Sequence, residues 1–153
     1  MRSATVLMRF ICGAAFLLTL AWASPAHAQI GIGEWARTDK DGGGMTMTVA
    51  ACCKGGYRLT YHVPTANGQP PVVITVDLPM DGTEVPTMTA GKPTGQTMSA
   101  KRIDDRHLTG AVKQNGELTL TNTATLSADG KTLTVEDTLT GTKLKVVEIW
   151  TKK

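Results

Sequence analysis

The sequence predicts an all-β fold, a single antiparallel up-and-down β-barrel of about eight to nine strands, with a β-sandwich as the alternative. Three observations carry this. Apolar and polar residues alternate with period two through most of the chain beyond position 28, and no segment sustains a helical period. Threonine, whose β-branched side chain suits a pleated, half-solvated surface, occurs 22 times in the 125 residues from Gln29 onward. Glycine- and asparagine-containing turns separate the alternating runs, and consecutive strands joined by short turns close most simply into a barrel, which removes their edges. The sandwich of immunoglobulin type fits less well. Trp35, Tyr57, Tyr61 and Trp150 lie near the chain ends and in one hairpin, without a Cys…Trp…Cys spacing.

The elements follow in order. Residues 1–28 read as a signal peptide: Arg2 and Arg9 give a basic start, Phe10 to Trp22 an apolar stretch, and Ala26-His27-Ala28 small residues before cleavage after Ala28. That apolar run is shorter than the ~20 residues of a spanning helix, so the expectation is a periplasmic or secreted protein without stable membrane insertion. Residues 29–153 are then expected to form one β-barrel domain. A first strand is expected at Ile32–Arg37. Met45, Met47, Val49 and Ala51 alternate with threonine and alanine, and after Gly55-Gly56 the run Tyr57, Leu59, Tyr61 and Val63 repeats the pattern, which predicts a hairpin. Asn67-Gly68 turns the chain into Val72–Val76. From Leu78 to Gly95 three prolines and three glycines predict a long irregular connection. Strands resume at Thr97–Ile103 and His107–Lys113, turn at Asn115-Gly116 into Glu117–Leu126, and finish at Lys131–Asp137 and Lys143–Trp150.

Composition excludes several classes. Without residues 1–28 the charge is 14 basic against 13 acidic residues, which gives no electrostatic footprint for nucleic acid. One small domain leaves no room for a large multidomain enzyme, and neither a coiled-coil heptad nor a second long apolar run is present.

Some residues carry a resemblance. Gly33-Glu34-Trp35 is similar to the Gly-x-Trp that opens the first strand of lipocalins, and the close at Trp150-Thr151-Lys152 is similar to that of fatty-acid-binding proteins. Lys101-Arg102-Ile103-Asp104-Asp105 and Ser127-Ala128-Asp129-Gly130-Lys131-Thr132-Leu133-Thr134 resemble segments of a largely uncharacterised group of small secreted bacterial β-proteins. The resemblance implies a small barrel with an interior. It departs from fatty-acid-binding proteins in having seven loop residues, Thr38 to Gly44, where they insert two helices. Glu148 stands where they carry a carboxylate-binding Arg, and no helix follows the last strand as in lipocalins.

Candidate sites follow from the same alternation. Inward positions include Met47, Val49, Leu59, Tyr61, Val72, Ile74, Val76, Leu108, Val112, Leu118, Leu120, Leu133, Val135, Leu144 and Val146, with small Ala51, Ala100, Gly110 and Ala124 between them. Small inward residues leave space for one apolar or amphipathic ligand in a barrel of this size. Trp35, Tyr57 and Tyr61 are expected to supply aromatic wall. Arg102, Asn122 and Glu148 fall on the same face, with Arg102 the first choice for a polar anchor; placement at the rims is the competing reading. Function is thus expected to be non-enzymatic binding of a small ligand. The alternative is a protein-interaction or envelope-stress module with a filled core, acting through its outer face.

Other features point elsewhere or nowhere. Cys52-Cys53 admits a redox-sensitive turn, an intermolecular bridge, or two thiols without a role, and alternation would aim one sulfur inward and the other outward. Asp104, Asp105 and His107 have the residue types of a cation site but also the chemistry of a solvated turn. Ser99 and Ser127 stand in no nucleophile elbow. Glu136 and Asp137 point to opposite faces of a strand. Gly31-x-Gly33-x-x-Ala36 matches a dinucleotide fingerprint in letters but lacks the preceding strand. No catalytic group, metal or cofactor is expected.

Overall fold

The computed structural model describes residues 31–153; the segment 1–28 expected to be a signal peptide, and the expected cleavage after Ala28, lie outside the described residues. Ten strands form one closed antiparallel barrel: β1 (Gly33–Arg37), β2 (Thr46–Cys52), β3 (Gly56–Val63), β4 (Val72–Leu78), β5 (Val85–Thr89), β6 (Lys92–Arg102), β7 (His107–Gln114), β8 (Glu117–Leu126), β9 (Thr132–Leu139) and β10 (Lys145–Lys152). Each strand pairs with the next, and β1 closes on β10 through Trp35↔Lys152, Ala36↔Thr151 and Arg37↔Trp150.

The tenth strand corrects the expectation of an irregular connection from Leu78 to Gly95. β5 and the first half of β6 occupy it as a hairpin turned at Ala90-Gly91, both with positive φ (50° and 76°). The prolines are accommodated by local pairing. β5 meets β4 only at Ile74↔Thr89 and Thr75↔Met88, so Pro86 has no β4 partner that its missing N–H would deprive. A bulge between Pro86 and Met88 then resets the register against β6. Beyond this short ladder the loop after β4 covers the gap: Gly82 N–H donates to the Ala100 carbonyl at 2.9 Å and Arg102 N–H to the Met80 carbonyl at 3.2 Å.

Alternation places most expected core positions inside, with four departures. Leu118 is 41% exposed because a bulge sets Val112 against Leu120 but Lys113 against Leu118, which turns Leu118 to the outer face. Leu144 lies in the loop before β10, and Val72 and Ala51 sit exposed at strand ends.

The two ends of the barrel differ. At the end that carries the β2–β3, β4–β5, β6–β7 and β8–β9 loops, Trp35, Met47, Val49, Tyr57, Leu126, Leu133 and Trp150 form a buried cluster. Trp35 is fully buried, and its Nε1–H donates to the Gly31 carbonyl at 2.7 Å. This plug stabilises the closed end by removing two indoles from water. The outer wall is mostly polar, with Arg58 on β3 bound to Asp77 on β4 and Lys113 on β7 bound to Glu84 just before β5, while Val73, Leu118, Val147 and Ile149 are exposed.

Candidate functional site: the barrel interior

Above the plug lies a cavity of about 420 Å³, within the ~300–1,000 Å³ range of small-molecule sites. Much of its wall is apolar, including Met45, Met47, Leu59, Ile74, Met98 and Leu108 from strands β2 to β7 and the residues beside them. Small residues make the space. Ala100 and Ala124 line it, and Gly110 allows close packing on β7: a Cβ there would sit 2.5 Å from Asn122 Oδ1 and 2.7 Å from the Ser99 carbonyl oxygen.

The wall built from β8, β9 and β10 carries a polar strip of Asn122, Asp137 and Glu148. Their strands set Asn122 directly against Asp137, and Val146, two residues before Glu148, against Asp137 from the other side. Glu148 is held twice: Oε1 accepts from Arg37 Nη1 at 2.8 Å and Oε2 from Trp150 Nε1 at 3.0 Å. Behind it, Arg37 also binds Asp39 through Nε–Oδ1 at 2.8 Å and Nη2–Oδ2 at 3.1 Å. The Arg37 hydrogen bond brings the Asp39 carboxyl down from 3.8 to about 2, opposed by burial and helped by the Ile149 backbone N–H. Asp137 is shifted the opposite way. Burial and then the Glu148 charge push it above the ordinary carboxylate value, only partly offset by the Asn122 hydrogen bond and the Arg37 charge. The Tyr61 hydroxyl is likewise raised, by burial first and by Glu148 and Asp137 after it. The Tyr61 and Trp150 rings meet edge to face, 6.0 Å between centroids at 62°.

The expected site residues divide accordingly. Tyr57, Tyr61, Asn122 and Glu148 line the cavity; Trp35 and Arg102 do not. Trp35 is used up in the plug, a consequence of its place two residues before Arg37 on β1. Arg102 lies at the plugged end, where its Nη2 donates to the Tyr57 hydroxyl at 2.9 Å and its guanidinium stands 5.7 Å from the Tyr57 ring centroid. Arg102, expected as polar anchor, thus sits outside the cavity lining, and the polar side chain held there by a guanidinium is Glu148, bound by Arg37. Arg37 and Asp137 were legible from alternation alone, as the residue two beyond Trp35 and the residue two beyond Val135.

Cys52 and Cys53 are joined to each other. Cys52 ends β2, while Cys53 and Lys54 take positive φ values of 31° and 50° in the turn. Period-two alternation stops at Cys52, so the two sulfurs do not divide between the faces of a strand. Asp104 accepts from the Arg106 and His107 backbone N–H groups at 2.8 and 2.9 Å and pairs with His107 Nδ1, the geometry of a capped turn. Among the described residues no group of three His, Cys, Asp or Glu is placed to hold a metal ion.

Comparison with protein families, curated proteins and solved structures found no match.

Proposed function

We propose that this protein is an exported, non-enzymatic binder that holds one small apolar or amphipathic molecule inside a lipocalin-like barrel. One observation carries the reading: a 420 Å³ interior space whose wall is mostly apolar, with a polar strip along β8 to β10. Side chains fill many barrels of comparable size. Here Ala100 and Ala124 stand where larger residues would occupy the volume. The mostly polar outer wall, with Arg58–Asp77 and Lys113–Glu84 pairs and only scattered apolar residues such as Val73, Val147 and Ile149, supports a barrel that stands in water, since a membrane barrel presents an apolar band outward.

The test is native mass spectrometry of the protein expressed with its leader, followed by denaturation in the same instrument. Titration with N-phenyl-1-naphthylamine, a neutral dye that fluoresces in apolar surroundings, accompanies it. A discrete small molecule lost on denaturation, or saturable dye uptake abolished by Ala124→Phe with the fold retained, supports the binder. An apo protein that takes up no dye overturns it and favours an interaction module acting through its outer face.

A further inference from the structure

The two charged side chains that line the cavity, Asp137 and Glu148, are both acidic, and no Lys, Arg or His lines it among the described residues. We propose that the cavity selects an amphipathic amine: an apolar body along β2 to β7 and a protonated nitrogen against the carboxylate of Asp137. This rests on the binder reading above and specifies its ligand class.

The charge count favours a cation. Glu148 has its oxygens engaged by Arg37 and Trp150, and Arg37 is shared with Asp39. One guanidinium thus stands behind two carboxylates, and Asp137 adds a third charge hydrogen-bonded to the neutral Asn122. Asp137 is the group with most to gain from an incoming N⁺–H, because a charge-assisted hydrogen bond to a partly buried carboxylate is stronger than a neutral one. A carboxylate-headed ligand meets the reverse situation. It would face Asp137 and Glu148 across the same space with Arg37 already committed, and like charges at that range repel. The edge-on Tyr61–Trp150 pair beside the strip adds aromatic surface on which an ammonium or its α-methylene rests favourably. Raised by burial and by Glu148, the Asp137 carboxyl carries its charge at a cost that a bound cation relieves. The groups that face it are Asn122 on β8, Glu148 on β10, Arg37 on β1 and Tyr61 on β3.

Displacement of N-phenyl-1-naphthylamine by n-decylamine, n-decanol and n-decanoate tests the selection on the full-length protein. Wild type is expected to bind the amine about tenfold tighter than the alcohol, with decanoate weakest. Asp137→Asn is expected to keep the alcohol affinity and lose the preference. A titration on wild type gives the same information without a variant: acidification through the raised Asp137 pKa removes the amine preference and leaves the alcohol unchanged. Equal affinities for amine and alcohol, or tightest binding of decanoate, overturn the charge selection while leaving the binder intact. Dye uptake by neither protein overturns the binder reading itself, and the selection with it.

Discussion

Replacing Arg37 by Met removes a cation but keeps most of an apolar stem, so it tests whether the barrel depends on the charge at the cavity's edge. Three charge-assisted bonds disappear, two to Asp39 and one to Glu148. The side chains involved are only 10%, 9% and 23% exposed for Arg37, Asp39 and Glu148. Deleting one partner of a buried pair costs about 3–5 kcal/mol. Residual partners favour the lower figure: Glu148 keeps Trp150 Nε1, and Asp39 keeps the Ile149 and Asp41 backbone N–H groups at 3.1 and 3.2 Å. We expect a loss of about 3 kcal/mol at neutral pH, read as a fall of about 12 °C in Tm for a domain of this size. The pH dependence supplies a second check. The Asp39 carboxyl is lowered from 3.8 to about 2 in the fold, so its stabilisation is complete above the unfolded value and is lost as pH falls toward 2. The gap between wild type and Arg37→Met should therefore close over that interval. Denaturation followed by far-ultraviolet circular dichroism measures both quantities. A neutral-pH difference below about 1 kcal/mol, the worth of a surface pair, or a gap unchanged down to pH 2, would refute the reasoning.

Three further outcomes follow from the same geometry. Because the Asp137 carboxyl is raised in the fold, its ionisation costs stability at neutral pH; Asp137→Asn should stabilise the ligand-free protein by about 0.5–1 kcal/mol, a gain that vanishes in urea titrations below the ordinary carboxylate range. Arg102→Ala should cost about 1 kcal/mol through its bond and ring contact with Tyr57, and leave dye affinity unchanged, since Arg102 does not line the cavity. Gly110→Ala should cost about 1–3 kcal/mol in thermal melts, because the added methyl meets a backbone carbonyl that cannot swing aside.

Much of this architecture was legible in the chain because a barrel wall obeys one rule, alternation, and most of these strands obey it without interruption. Leu59, Tyr61, Leu133 and Val135 face inward for that reason alone. Where the rule was interrupted the sequence misled. Pro86 and Pro93 resemble breakers when read singly, yet a ladder of two pairs between β4 and β5 leaves room for Pro86. The bulge opposite Lys113 inverts Leu118, and nothing in the letters Glu117-Leu118-Thr119-Leu120 marks which residue is skipped. The polar strip was half legible. Asn122 and Glu148 stood out as polar residues on an apolar face, but Arg102 offered the same sign. Only the pairing of β1 with β10 brings Arg37 to Glu148, 111 residues away.

That last pairing also orders events in time. A meander whose final strand zips to its first gains each neighbour cheaply as the chain lengthens, through short loops, and leaves the costliest closure until the end. Until residues 145–152 are in place, β1 and β9 each present an unpaired edge, and Trp35 lacks the partner indole of Trp150 in the plug. A nascent or truncated chain is therefore a sheet with two adhesive margins, open to pairing with another copy. The last eight residues of regular structure decide whether the product is a vessel or the start of an aggregate.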